Sequence, residues 1–138
     1  MSYKDEMKEI QKNQEERIQE SQIDRGVIIV NTGDGKGKSS SAFGTAFRAV
    51  GQGLKVCIIQ FIKGDWPTGE MDSFKKFDSI DHHISGKGFT WDTQDLEQDK
   101  EAAERGWFLA KEIIENDNSE YQLLVLDEFN LVLSYNYL

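Results

Sequence analysis

Cysteine is almost absent from this sequence, which excludes two kinds of site. Cys57 is the only cysteine among 138 residues, so the chain can form neither an internal disulfide nor a metal site built from several cysteines. It lies within the apolar run VCII at residues 56–59, where a small buried side chain is the expected role. We therefore assign Cys57 no chemistry.

Long apolar runs and a surplus of basic residues are missing too. No apolar stretch approaches the roughly 20 residues that a membrane span requires. Residues 4–20 mix Lys, Glu and Gln where a secretory signal would have a short apolar core. Twenty-five acidic residues against 16 basic ones give a net charge of −9, which repels a polyanion. We therefore expect a cytoplasmic protein with neither a membrane nor a nucleic acid as its partner.

The chain has enough apolar residues for one globular domain, preceded by a polar segment. Apolar residues make up 38% and charged residues 30% of the sequence, which fits a soluble protein with a single core. Residues 1–25 carry only a thin stripe of apolar side chains, so we predict an N-terminal polar helix or a solvated arm there. Residues 26–138 are predicted to form the folded domain.

Short apolar runs alternate with helical repeats along this domain. Continuous apolar runs predict strands buried on both faces at residues 27–30 and 123–126, and residues 54–62, which follow a predicted helix, are a further candidate for a buried strand. Apolar residues at helical spacing predict helices over residues 42–50 and 95–116. Periodicity leaves a further strand near residues 80–84 open. This alternation is typical of an α/β fold in which helices flank a mostly parallel sheet.

A glycine-rich loop follows the first predicted strand. Residues 30–40 read VNTGDGKGKSS and lead into a predicted helix, an arrangement in which backbone N–H groups can bind phosphates whatever the net charge. Lys38 would reach phosphate oxygens, and the Ser39 hydroxyl suits a magnesium ion. The loop encloses three residues between Gly33 and Gly37, where the usual P-loop pattern has four. The alternative is a flexible turn with solvated lysines, which the strand-loop-helix context disfavours.

An acidic pair ends the third predicted strand. Asp127 and Glu128 follow the apolar run LLVL directly. P-loop folds use such a strand end to bring carboxylates to a bound magnesium ion. With the glycine loop upstream, we predict a metal site formed by Ser39, Asp127 and Glu128. The alternative is a pair of solvated acids.

Four motifs, taken in order, resemble those of one enzyme family. They read TGDGKGKS at residues 32–39, QFIKG at 60–64, GKGFTW at 86–91 and LDEFN at 126–130. This order is similar to that of the ATP:corrinoid adenosyltransferases, of the type that acts on cob(I)yrinic acid a,c-diamide and other corrinoids. The short-spaced loop is itself a feature of that family, and the GKGFTW segment is the most discriminating motif. The resemblance extends from about residue 26 to residue 138.

The resemblance implies a fold, a reaction and partners. The fold would be P-loop and RecA-like, and its C-terminal strands would be missing from this chain, because the family continues for roughly another quarter of its length. The cobalt(I) of a corrinoid would attack the 5′ carbon of ATP and expel triphosphate, which the loop and magnesium would hold. The family further implies a homodimer and a flavoprotein reductant such as flavodoxin.

The same resemblance assigns site residues. Lys38 and Glu128 would be catalytic. Phe89 and Trp91 match the aromatic pair that displaces the lower axial ligand of cobalt, although aromatic residues of a sequence are more often core. The expected ATP-binding residues are Thr32, Gly33, Asp34, Gly35, Lys36, Gly37, Lys38, Ser39, Ser40 and Arg48.

Other interpretations of the sequence involve different residues. His82 and His83 have no third ligand at a suitable spacing, so we expect them to be surface or loop residues without a metal. A general P-loop ATPase or kinase would need a residue that activates water or a hydroxyl group, and the sequence offers no such candidate. A third alternative is a truncated product that binds ATP or a corrinoid without catalysis.

Overall fold

The computed structural model describes residues 2–62, 64, 67–86 and 95–138 of the chain. The chain forms two compact units, Met1–Val30 and Asn31–Leu138. The first contains helix α1 (Tyr3–Glu20). The second contains, in order, α2 (Lys38–Gly51), β1 (Val56–Gln60), α3 (Gly69–Phe74), β2 (Ile80–Ile84), α4 (Leu96–Glu115), β3 (Leu123–Asp127) and α5 (Phe129–Ser134).

Helix α1 begins at a reciprocal cap. The Ser2 hydroxyl accepts a hydrogen bond from the Asp5 backbone N–H, and the Asp5 carboxylate accepts one from the Ser2 backbone N–H. No residue of α1 is buried. Within the part of the chain that the structure describes, neither this helix nor any other is long and apolar enough to cross a membrane.

The predicted strand at residues 27–30 is wrong. These residues belong to no strand, and Val27, Ile28, Ile29 and Val30 are between 68% and 93% exposed. The sheet that the structure describes consists of β2, β1 and β3. An apolar run indicates a tendency to be buried, but a strand also needs a neighbour that pairs with its backbone N–H and C=O groups.

The sheet has β1 at its centre and is parallel throughout. Its order is β2-β1-β3, with Val56 paired to Ile80 on one side and to Leu123 on the other. Every residue of β1 is buried, as expected of a central parallel strand. The α/β prediction is confirmed, and the strand near residues 80–84 that periodicity left open is β2.

Alternate side chains of β1 point to opposite faces of the sheet, and both sets are buried. Helices therefore pack on both faces. Val56 and Ile58 belong to a core cluster that includes Phe43 of α2 and Phe74 of α3. Cys57 and Ile59 belong to a second cluster, which includes Ala103 and Ala110 of α4 and Val132 of α5. Burial raises the pKa of Cys57 to about 11, so the thiol stays protonated and packs as a small apolar group.

Charged and polar side chains tie the three strands together near their amino ends. The Lys55 ammonium lies 3.2 Å from the Asp81 carboxylate and 2.8 Å from that of Glu120. The Tyr121 hydroxyl donates a 2.6 Å hydrogen bond to Asp81, which raises the pKa of Tyr121 to about 12. The same bond, followed by Lys55, lowers the pKa of Asp81. These contacts occupy the edge of the sheet opposite to the glycine loop.

Gly106 of α4 lies where the helix passes closest to its neighbours. A Cβ atom at this position would lie 2.7 Å from Phe61 Cε1 and nearer still to the Ser85 side chain. Gly44, in the middle of α2, is exposed, and a Cβ atom there would have nothing within 4 Å. Close packing therefore requires glycine at position 106, whereas nothing in the packing requires it at position 44.

We expect alanine to have opposite effects at these two positions. Gly44→Ala should stabilise the protein by roughly 0.4 to 1 kcal/mol, because it reduces the freedom of the unfolded chain. Gly106→Ala should destabilise it by roughly 1 to 3 kcal/mol, because the methyl group overpacks the contact with Phe61 and Ser85. Urea unfolding of both variants and the parent measures the difference. Shifts in the same direction would contradict the close contact of α4 with Phe61 and Ser85.

Candidate functional site

The glycine loop lies directly before α2. Gly33 has a φ angle of 129° and Gly37 one of 109°, both in a region that residues with a Cβ atom rarely adopt. A Cβ atom would meet nothing within 4 Å at either position, so backbone conformation and not space requires glycine in this loop. Gly37 is the N-cap of α2, and the unpaired N–H groups of the first helical turn lie next to the loop.

Lys38 folds back onto the loop. Its ammonium group donates hydrogen bonds to the carbonyl oxygens of Gly33, at 2.7 Å, and Gly35, at 2.5 Å. These bonds hold a positive charge against the loop backbone, at the positive end of α2. Both features favour an anion at this place.

Ser39 connects the loop to the end of β3. Its hydroxyl donates a 2.7 Å hydrogen bond to Asp127 Oδ1, although the two residues are 88 positions apart in sequence. Asp127 is only 6% exposed. The structure therefore brings together the two residues that the sequence predicted as partners.

Two polar residues that were not among the predicted site residues extend this contact. The Gln60 amide nitrogen donates a 3.0 Å hydrogen bond to Asp127 Oδ2. The Gln60 amide oxygen lies 2.7 Å from His82 Nε2. His82 is thus a partly buried residue of β2, and its prediction as a surface or loop residue is wrong. His83, the next residue, is exposed as expected.

The strand register explains why these side chains meet. Gln60 and Asp127 are paired at the carboxyl ends of the parallel strands β1 and β3, so both side chains lie on the same face. His82 is paired with Ile58 and shares that face, where α2 also packs. A sequence signal for Gln60 did exist: it is the polar last residue of an otherwise apolar strand, in the position that Asp127 occupies in β3.

The residues after these two strands have strained backbones. Ile62 has a φ angle of 66° and Glu128 one of 61°, and left-handed conformations are unusual for residues other than glycine. Such strain costs on the order of 1 to 3 kcal/mol, and residues of this kind cluster at functional sites. Glu128 lies between β3 and α5, as the N-cap residue of α5, and is partly exposed.

The remaining predicted residues fall into three groups. Arg48 is exposed in the last turn of α2, ten residues and hence about 15 Å along the helix from Lys38, so the structure does not bring it to the loop. Phe89 and Trp91 lie outside the described residues. The others are exposed, in the loop or at the start of α2: Thr32, Asp34, Gly35, Lys36, Gly37 and Ser40.

The oxygen atoms at the loop suit a hard cation that takes few ligands from the protein. No group of three or more His, Cys, Asp or Glu side chains in the described ranges could hold a metal ion by itself. Magnesium does not need such a cage, because it binds through one or two carboxylates together with waters and phosphates. Hydroxyl and carboxylate oxygens at Ser39 and Asp127 are ligands of the required kind.

Comparison with known proteins identifies close relatives. The corrinoid adenosyltransferase of Pseudomonas aeruginosa is 45% identical over 125 residues, covering 90% of this chain and 61% of that protein. The corrinoid adenosyltransferase of Escherichia coli is 40% identical over 136 residues, covering 99% of this chain and 68% of its own length. Corrinoid adenosyltransferase CobA of Salmonella typhimurium is 38% identical with the same coverage, 99% and 68%. The chain spans about two thirds of the length of these relatives.

A family model extends the same result to nearly the whole sequence. The model described as ATP:corrinoid adenosyltransferase BtuR/CobO/CobP matches residues 24–138, which include every element from α2 to α5. The resemblance predicted from the four motifs is confirmed, and this chain belongs to the ATP:corrinoid adenosyltransferase family.

Proposed function

We propose that this chain transfers the 5′-deoxyadenosyl group of ATP to the cobalt(I) of a corrinoid. The electron pair of cobalt(I) forms the new bond to the 5′ carbon of ATP, and the bond from that carbon to the triphosphate oxygen breaks. The electron pair of the broken bond leaves with triphosphate. Membership of the adenosyltransferase family and the names of the relatives support this reaction.

One observation carries the nucleotide part of the proposal, namely the hydrogen bond between Ser39 and Asp127. Transfer to a corrinoid is supported by membership of the family. It joins a loop suited to phosphates and a strand end suited to a cation within one site. A nucleoside triphosphate is a ligand that needs both. No residue of the described chain is needed as a general base, because the nucleophile is the substrate's own cobalt.

Stabilisation of the leaving group is the catalytic role that these residues can fill. Negative charge develops on the oxygen that leaves the 5′ carbon, and positive groups held in advance near that oxygen lower the barrier. We propose that the Lys38 ammonium and the N–H groups at the start of α2 act in this way. Lys36, exposed in the same loop, adds a second positive charge.

Ser39, Asp127 and Glu128 would hold the magnesium ion that accompanies ATP. When bound, the ion neutralises charge on the triphosphate and so makes it a better leaving group. The chain's own contribution is to present oxygen ligands on a buried strand end. Asp127 is positioned there by hydrogen bonds to both of its carboxylate oxygens.

The resemblance to the family supports four further parts of the proposal. Phe89 and Trp91 would take the place of the lower axial ligand of cobalt. Arg48 would lie near a part of the nucleotide away from the phosphate loop, because it is about 15 Å along α2 from Lys38. A flavoprotein such as flavodoxin would supply the electron that produces cobalt(I). The working form would be a cytoplasmic homodimer.

The reaction is tested by product analysis. The chain is mixed with ATP, magnesium and chemically reduced cob(I)alamin, and adenosylcobalamin is followed by its absorbance. Transfer predicts adenosylcobalamin and triphosphate in equal amounts. Release of ADP and inorganic phosphate would instead indicate an ATPase, and ATP binding without any product would indicate a non-catalytic binding protein.

Replacing Lys38 tests the phosphate loop. Lys38→Ala should raise the dissociation constant of ATP roughly 10- to 150-fold, because a charge-assisted phosphate contact contributes about 1.5 to 3 kcal/mol. Titration calorimetry measures the affinity. Lys111→Ala is the matched control, since it removes the same charge from an exposed pair with Glu115 on α4. Unchanged ATP affinity in Lys38→Ala would contradict the assignment of the loop.

Replacing Glu128 tests the metal site. Glu128→Gln keeps the size and shape of the side chain but removes its charge, so it should weaken magnesium-dependent ATP binding about tenfold and leave the fold intact. Glu112→Gln on α4 is the control for the loss of one exposed acid. If the parent binds ATP equally well in magnesium and in excess EDTA, the acidic pair has no metal role.

Replacing both Phe89 and Trp91 with Ala tests the corrinoid role. ATP binding should be nearly unchanged, because neither residue belongs to the loop. Transfer should persist with reduced cob(I)alamin but fail when a flavoprotein must reduce cob(II)alamin on the protein. Magnetic resonance of bound cob(II)alamin with ATP should show four-coordinate cobalt in the parent only. A parent with only five-coordinate cobalt, also in a longer relative measured beside it, would refute this role.

A further inference from the structure

Asp127 has a hydrogen-bond donor at each carboxylate oxygen. Ser39 donates to Oδ1 at 2.7 Å, and Gln60 donates to Oδ2 at 3.0 Å. The two bonds approach the carboxylate from different elements, because Ser39 belongs to α2 and Gln60 to β1. Together they determine the rotation of the carboxylate plane at the end of β3.

The direction of these bonds determines which atoms of Gln60 face each partner. A carboxylate has no hydrogen to donate, so the Gln60 amide must turn its N–H group towards Asp127. Its carbonyl oxygen then points the other way and lies 2.7 Å from His82 Nε2. The Gln60 carbonyl oxygen can only accept a hydrogen bond, and an Nε2 atom without a hydrogen could also only accept. Two acceptors would repel each other at this distance. His82 therefore carries a hydrogen on Nε2 and donates it to Gln60.

We propose that His82 is a positioning residue for the ATP and magnesium site, acting on Asp127 through Gln60. If the Nε2 donor is lost, the Gln60 carbonyl is left without its partner in a residue that is only 1% exposed. The amide can then rotate, and Asp127 Oδ2 loses its fixed donor. The carboxylate would no longer be held in the orientation that presents Oδ1 to Ser39. This inference rests on the proposed function for the use of the site, but the hydrogen-bond chain itself does not.

A second contact of His82 guides the choice of variant. Its ring packs against Phe74, with ring centres 5.1 Å apart. His82→Phe retains a ring for this contact and removes the donor. His82→Gln supplies an amide N–H at about the reach of Nε2 and so restores the donor. His83→Gln is the matched control, because His83 is the exposed neighbour in the same strand.

The hydrogen-bond chain is tested first, by NMR on labelled protein without ligands. The nitrogen shifts of the His82 ring should show hydrogen on Nε2, and the carboxyl carbon shift of Asp127 should change in His82→Phe but not in His83→Gln. A His82 ring with its only hydrogen on Nδ1 would overturn the proposal. So would an Asp127 signal that is unaffected in His82→Phe.

The functional consequence is tested by ATP binding as magnesium is varied. Outer partners of metal ligands typically contribute 10- to 100-fold to metal affinity, and His82 is one bond further away. His82→Phe should lower the urea midpoint, because the buried Gln60 carbonyl loses its partner. In the folded protein, we expect it to raise the magnesium concentration for half-maximal ATP binding about 3- to 10-fold. His82→Gln should return it to within about twofold of the parent.

The outcomes separate this inference from the proposed function. Equal magnesium dependence in His82→Phe and the parent would overturn the positioning role alone, as would a His82→Gln variant that is no better than His82→Phe. A parent that binds ATP without regard to magnesium would overturn both the proposed metal site and the positioning role of His82 towards it. In that case the NMR result still decides whether His82 donates to Gln60.

Discussion

The parallel pairing of β1 with β3 is the constraint on which the site depends. Because Gln60 is paired with Asp127, the carboxyl ends of the two strands coincide and their last side chains share a face. Helix α2 packs on that face, with Phe43 and Ala46 in the same core cluster as Val56 and Val125. Its first turn therefore lies within hydrogen-bonding distance of Asp127. A shift of one residue in this register would turn Asp127 to the other face.

The two edges of the sheet have different roles. At the amino ends of the strands, opposite charges are paired and bonded to each other, as Lys55 is with Asp81 and Glu120. At the carboxyl ends, the backbone is strained at Ile62 and Glu128, and polar side chains point towards the glycine loop. Strain of this kind must be offset elsewhere in the fold. Burial of the two apolar clusters beneath the helices supplies stability that can offset it in this chain.

Some glycines of this chain are required by local backbone conformation and others by tertiary packing, and only the first kind can be recognised from the sequence. Gly33 and Gly37 are needed for their φ angles, and a motif pattern can recognise them because the requirement is local. Gly106 is needed because α4 passes close to Phe61 and Ser85, far away in the sequence. From the sequence alone, Gly106 is only a residue of low helix propensity inside a predicted helix. Only the packed structure supplies its reason.

The sequence by itself determined the family, the α/β class and the partnership of Ser39 with Asp127, because motifs and strand periodicity are local properties of the chain. It did not determine that residues 27–30 form no strand, since an apolar run carries no information about the partner with which its backbone would pair. Nor did it reveal the roles of Gln60 and His82. Those roles arise from the register of three strands and the helix above them, and register is set by contacts between residues that are distant in the chain.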